Sequence, residues 1–173
     1  MTMTENRKVI GATECTVDGI RFKSKWECKV YQMLKEAGLN PQYEGLKIHL
    51  QETFEPTVPF YTRVKDKRRT PGFKIDNYKV KAVTYSPDFK VEYNGKIYFI
   101  EAKGMKTDSY TIKVKLFRKW LETNYPDSVA FEVYTQKNVK DTINIILKSA
   151  VFGLATTSPV YTVLSVALSI FSI

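Results

Sequence analysis

Histidine and cysteine are nearly absent from this chain, which holds one His and two Cys in 173 residues. Two cysteines, Cys15 and Cys28, cannot build a disulfide framework, and no CxxC pair exists to hold zinc. A single His49 excludes a His-rich metal cluster and a nuclease site of the HNH type. The first eleven residues are polar and charged, with no apolar stretch of the kind a secretory signal needs, so the expected setting is a reducing cytoplasm. Acidic residues are also short, 18 against 27 Lys plus Arg, which leaves a net charge of +9. Such an excess favours a polyanionic partner, either nucleic acid or an anionic membrane surface. Aromatic residues are plentiful at 13%, and with 43% apolar residues the chain has the means to bury a core.

Turn and cap signals divide the chain. Asp18-Gly19 suits a tight hairpin turn within Thr16–Phe22. Ser24 opens a helix that runs to about Ala37 and stops at Gly38. Its apolar stripe is Trp26, Val30, Met33, Leu34 and Ala37, and Cys28 falls with Lys25, Lys29 and Gln32 on the polar side. Leu46, Ile48 and Leu50 alternate with Lys47, His49 and Gln51 as a strand would, which leaves His49 a structural residue on the polar side. From Glu52 to about Asn77 the pattern breaks down among Pro56, Pro59, Pro71 and Gly72, and a long irregular insertion is expected. Strands at about Tyr78–Tyr93 and Lys96–Lys103 follow, joined by Asn94-Gly95. A helix capped by Asp108 runs to about Thr123, Val129–Val133 reads as a strand, and Val139–Phe152 as a helix ended by Gly153. The implied fold class is α/β (α+β): an αβββαβ core with a mixed sheet flanked by helices and extra C-terminal helices. Residues 1–153 form the main domain and 154–173 an apolar tail.

The chemistry concentrates in Ser86-Pro87-Asp88-Phe89 and Ile100-Glu101-Ala102-Lys103-Gly104. A two-residue turn at Asn94-Gly95 pairs Tyr93 with Lys96, and the same register sets Asp88 opposite Glu101, with side chains roughly 5 Å apart. Lys103 points to the same face, two residues on. Two carboxylates so close repel, and a divalent cation is the obvious compensator; oxygen donors alone suit Mg2+ or Mn2+. Such a cation polarises a phosphodiester and activates water, and a lysine beside it orients that water or stabilises charge on phosphorus. Glu27 lies on the flank of the helix's buried face, where it either completes a Ser24-x-x-Glu27 capping box or supports the site, and both roles can coexist.

These segments, together with Phe22-Lys23-Ser24-Lys25-Trp26-Glu27 and Tyr43-Glu44, resemble the PD-(D/E)xK nuclease superfamily, most closely phage endonuclease I proteins (Holliday junction resolvases) and related phage nuclease-like proteins. The likeness spans about Thr16 to Thr135 apart from the insertion. It implies a restriction-endonuclease-like fold, with Asp88, Glu101 and the backbone carbonyl of Ala102 as metal ligands. Lys103 is the catalytic lysine by this likeness, and Glu27 the helix carboxylate supporting a second metal or a water. It further implies a homodimer acting on branched or junction DNA during recombination, in a host bacterial cytoplasm. The basic insertion and apolar tail depart from that family. Rival readings are a repair, replication or restriction-type nuclease on duplex or single-stranded DNA, and a catalytically silent DNA-binding module of the same fold.

Between Arg63 and Lys81 stand Arg63, Lys65, Lys67, Arg68, Arg69, Lys74, Lys79 and Lys81 against Asp66 and Asp76. Phosphate contact is one use, with Tyr61 and Phe73 stacking on an opened base, and a solvated mobile loop is the other. Lys106, Lys113, Lys115, Arg118 and Lys119 form a second basic group beside the lysine motif. After Lys148 no charged residue follows. Ser158-Pro159 opens a candidate helix to Ile173 of about 21 Å, short of the roughly 30 Å bilayer core. Packing or dimerisation is therefore expected of it ahead of membrane anchoring.

Overall fold

The computed structural model describes residues 13–64 and 72–154. The basic residues Lys65, Lys67, Arg68 and Arg69 and the tail from Ser158 lie outside them. The fold is a mixed α+β arrangement. Strands β1 (Cys15–Val17) and β2 (Ile20–Phe22) form a small hairpin, followed by helix α1 (Lys25–Glu36) and the short strand β3 (Gln42–Tyr43). Strands β4 (Ile48–Gln51), β5 (Tyr61–Arg63), β6 (Phe73–Ile75) and β7 (Val83–Tyr85) come next. Then follow β8 (Phe89–Tyr93), β9 (Lys96–Ala102), helix α2 (Asp108–Asn124), β10 (Val129–Val133) and helix α3 (Gln136–Leu154).

The central sheet runs β10-β9-β8-β3, with β9 and β10 parallel and the other pairs antiparallel. Asn94 and Gly95 take φ values of +48° and +74°, the left-handed pair a tight hairpin turn requires. Tyr93 pairs with Lys96 and Phe89 with Ile100, so the expected hairpin register holds. One face of the sheet, carrying Phe89, Val91, Tyr98 and Ile100, is buried with Phe22, Val30, Leu34, Val139 and Ile146 beneath α1 and α3. The other face carries Phe99, which packs with Tyr85, Tyr110, Phe117 and Leu121 beneath α2 and beside Ile48. Each fully buried aromatic or branched side chain contributes roughly 1.5–3 kcal/mol, so both layers fix the hairpin between them.

Several expectations are corrected. The strand expected at Tyr78–Tyr93 is two strands in different sheets: β7 pairs with β4, whereas β8 pairs with β9 and β3. The break falls at Ser86-Pro87-Asp88, where proline lacks the donor a ladder needs and the Asp88 carbonyl accepts from Glu44 N at 2.9 Å. The insertion is irregular over most of its described residues but carries paired segments. Beyond the β4–β7 pair, whose register shifts at a bulge between His49 and Gln51, come the Phe54–Val80 bridge and the short β5–β6 pair, together a two-stranded ribbon. Phe54, Val58, Phe60, Tyr61, Phe73, Ile75 and Tyr78 are exposed along it.

Cys28 was expected on the polar side of α1 with no partner; it is buried and bonded to Cys15 as a disulfide. The β1–β2 hairpin lies along that flank of α1 and widens its buried arc to Glu27, Cys28 and Tyr31. The cap of α2 is Thr107, one residue before the Asp108 expected, with its side chain accepting from Tyr110 N. Helix α3 begins three residues earlier than expected because the Thr135 hydroxyl accepts from Asn138 N, and it continues through Gly153. No helix among the described residues is long and apolar enough to cross a membrane.

Ser24 caps α1 as expected: its hydroxyl accepts from Glu27 N at 3.2 Å and donates to Glu27 Oε1 at 2.8 Å. Ser24→Ala should cost about 1 kcal/mol and lower the thermal midpoint by roughly 2–4 °C. An unchanged melting curve would show that the cap does not stabilise the helix.

Candidate active site

The turn at Pro87 lifts Asp88 out of the β7 ladder and sets it at the mouth of the β8–β9 hairpin, one step beyond the Phe89–Ile100 pair. Its Oδ2 accepts from the Ala102 N–H at 2.8 Å, and Oδ1 has no hydrogen bond among the described residues. Glu101 projects from β9 toward the same end, its side chain only 11% exposed. Its two oxygens are divided: Oε2 accepts from the Tyr85 hydroxyl at 2.7 Å, and Oε1 faces Lys103 Nζ at 3.6 Å. The Lys103 ammonium also lies 4.0 Å from the centroid of the Tyr110 ring, so an aromatic face and a carboxylate together hold it. Three of the four residues singled out for catalysis, Asp88, Glu101 and Lys103, are thus brought together. Ala102 adds a backbone N–H toward Asp88.

Glu27 is the fourth. Its carboxylate accepts from Ser24 Oγ at 2.8 Å, Lys23 N at 3.1 Å and the Tyr43 hydroxyl at 2.6 Å. The helix-cap reading is therefore realised, and Glu27 does not join Asp88 and Glu101 in a three-carboxylate metal cluster among the described residues. It remains close enough for its charge to act on Asp88. The residues that could hold a cation are Asp88 and Glu101.

Electrostatically the pair is unbalanced. Burial, then the Glu101 carboxylate, then Glu27 push Asp88 from its ordinary 3.8 up to about 8, against the opposing pull of the Ala102 N–H and Lys103. Burial raises Glu101 as well, countered by Tyr85 and Lys103. Burial and the adjacent Glu101 charge hold the Tyr85 hydroxyl far above the usual tyrosine range, so it stays a donor. Tyr43 is raised in the same way by burial and by its bond to Glu27.

Of the basic residues, Lys106 is already engaged, with Nζ 2.8 Å from Glu132 Oε2 and above the Tyr134 ring. Lys113 is half-buried on α2, while Lys115 and Arg118 are exposed. Arg63 and Lys74 are exposed on the ribbon, where Lys74 stands over Tyr78. His49 pairs with Glu52 on the surface at 3.0 Å. Sequence reasoning gave no role to Tyr85, Tyr43 or Tyr110, although Tyr43 and Tyr85 stand in the segments that carry the resemblance. The signal for Tyr85 was present, since it immediately precedes Ser86-Pro87-Asp88.

The raised Asp88 has a consequence for stability. Ionised Asp88 is penalised in the fold; the penalty is absent below about pH 4, where folded and unfolded forms are both protonated, and grows as pH rises toward 8. Asp88→Asn keeps an acceptor for Ala102 and carries no charge. In chelator its thermal midpoint should exceed wild type by at least about 5 °C at pH 8 and by almost nothing at pH 4. A difference that does not change with pH would contradict the buried-charge account.

Residues 7–140 match the family described as "Protein of unknown function (DUF1064)". No curated protein and no solved structure matches the chain. The family match takes in the β1–β2 hairpin, the whole central sheet, α1, α2 and the Asp88–Glu101–Lys103 site. This chain belongs to the DUF1064 family.

Proposed function

We propose that this chain is a divalent-metal-dependent DNA endonuclease of the PD-(D/E)xK type. The observation that carries the reading is the pair of half-buried carboxylates, Asp88 and Glu101, close enough to repel each other beside Lys103 at the mouth of one hairpin. Natural folds avoid burying two like charges, and Lys103, Tyr85 and the Ala102 N–H relieve the penalty here only in part, since Asp88 stays raised. The donors fit Mg2+ or Mn2+: both are hard carboxylates, the lone histidine is elsewhere, and both cysteines are bonded to each other. A divalent cation bound there supplies Lewis-acid polarisation of the phosphodiester and a water of lowered pKa.

The chain's own residues do the rest. Tyr85 occupies one oxygen of Glu101 and thereby fixes the rotation of the carboxylate. The Ala102 N–H does the same for Asp88 and leaves Oδ1 toward the site. Lys103, pinned between Glu101 and the Tyr110 ring, supplies a positive charge that orients the attacking water or stabilises the pentacovalent phosphate. Glu27 ties the start of α1 to Tyr43 and adds negative charge near Asp88.

The ribbon is the natural contact for the rest of the DNA. It emerges from β4 and β7, so its root, Tyr85, is also the residue bonded to Glu101. Arg63, Lys74, Lys79 and Lys81 can meet phosphates, and Tyr61 and Phe73 can stack on bases. With one site per chain, a symmetric homodimer supplies the two cuts that a four-way junction requires. Branched DNA is the proposed substrate, and a phage-type role in recombination follows from the resemblance.

The test is a cleavage panel of four-way junction, flap, duplex and single-stranded DNA, with and without Mg2+. Wild type should cut only with the metal. Asp88→Asn and Glu101→Gln should each lose about 10³-fold or more. Lys103→Ala should lose about 10²–10³-fold while still binding metal. Metal-dependent cleavage retained by both carboxylate variants overturns the assignment, and a wild type inert on every substrate supports the catalytically silent module.

A further inference from the structure

Helix α2 does not cover its face of the sheet evenly. It packs toward β4, where the Tyr85 and Phe117 rings meet at 4.8 Å and Phe99 packs edge-on to Phe117 at 5.7 Å. On the other side, above the edge strand β10, the small side chain of Ala130 is exposed, with Glu132 two residues on bonded to Tyr110. A cleft of about 390 Å³ remains between helix and sheet. One end opens on Glu101; Tyr110, Val114 and Phe117 of α2 form one wall, Ala130 lies on the other, and Arg118 stands at the rim.

We propose that this cleft receives a single nucleobase of the strand whose phosphate reaches Asp88 and Glu101. The inference rests on the phosphodiester reading of that pair and extends it to a base-binding subsite. The cleft's volume lies in the range of small-ligand sites, and Tyr110 and Phe117 offer aromatic surface on the helix side, which suits a planar ring. Because Glu101 forms part of its lining, a base in the slot is joined by one sugar to a phosphate at the carboxylate pair. Arg118 is exposed and makes no ion pair among the described residues, so its guanidinium is available to an anion arriving with the base. On the neighbouring strand Glu132, the register partner of Glu101, is held by Tyr110 at 3.1 Å and Lys106 at 2.8 Å and adds polar atoms at the same end of the slot. A nucleotide turned out of its stack is the form of substrate this site would take.

Trp120 lies against Phe117, with ring centroids 6.4 Å apart, and its fluorescence provides the readout. The full chain, with Ca2+ in place of Mg2+, is titrated with 2′-deoxyadenosine 5′-monophosphate and, separately, with 2-deoxyribose 5-phosphate, which lacks the base. The nucleotide should bind at least about tenfold more tightly than the sugar phosphate. Ala130→Leu, which fills the slot from the exposed edge strand, should abolish that difference and leave sugar-phosphate binding unchanged. Val114→Phe fills the slot from the helix side and carries the same expectation if Ala130→Leu misfolds. Equal affinity of the two ligands for wild type, or a base preference that survives both variants, overturns the proposal. A base preference in a protein that cuts no DNA upholds the subsite and sinks the nuclease reading. Mg2+-dependent cleavage without any base preference does the reverse.

Discussion

The arrangement depends on one register. The Asn94-Gly95 turn fixes which residue of β8 faces which residue of β9, and a slip of one position would send Glu101 into the apolar layer beneath α1 and α3. That layer prevents the slip, because Phe89, Val91, Tyr98 and Ile100 are fully buried in it. The same packing that gives the sheet its stability therefore forces two carboxylates together at its mouth. Asp88 is raised to about 8 because the fold leaves it no other place.

Around this unfavourable pair the protein has assembled tyrosines, not cations alone. Tyr85 donates to Glu101, Tyr43 to Glu27, and Tyr110 to Glu132 while its ring faces Lys103. A phenol held above its usual pKa by burial remains a donor across the physiological range, so it satisfies a carboxylate without neutralising it. Lys103 is the only cation paired directly with Glu101 among the described residues. The site is hydrogen-bonded, and its second carboxylate is left holding a proton because Lys103 is the only direct ion-pair partner there among the described residues.

Much of this was legible in the chain. Asn94-Gly95 and Asp18-Gly19 declare their turns because few dipeptides tolerate two consecutive left-handed residues, and Ser24 declares its helix because an exposed amide needs an acceptor. The facing of Asp88 and Glu101 followed from counting residues. The ribbon did not show itself, because Pro56 and Pro59 remove donors and a bulge shifts the register, so the two-residue alternation dissolves. Cys28 was misplaced because a helical wheel sees one buried stripe, whereas α1 is covered on a second flank by β1–β2. Glu27 carried two meanings in the sequence; its bonds to Ser24 and Lys23 are the local capping pattern, whereas its bond to Tyr43 joins segments whose meeting no local pattern encodes.

The central claim is that the Asp88–Glu101 pair holds a proton that a divalent cation displaces. Titration calorimetry with Mn2+ at pH 7, repeated in two buffers of different ionisation enthalpy, measures both the binding and the protons released. The account predicts binding to wild type with a net proton release, and loss of both in Glu101→Gln. Binding with no proton release, or binding of equal strength in Glu101→Gln, would contradict it.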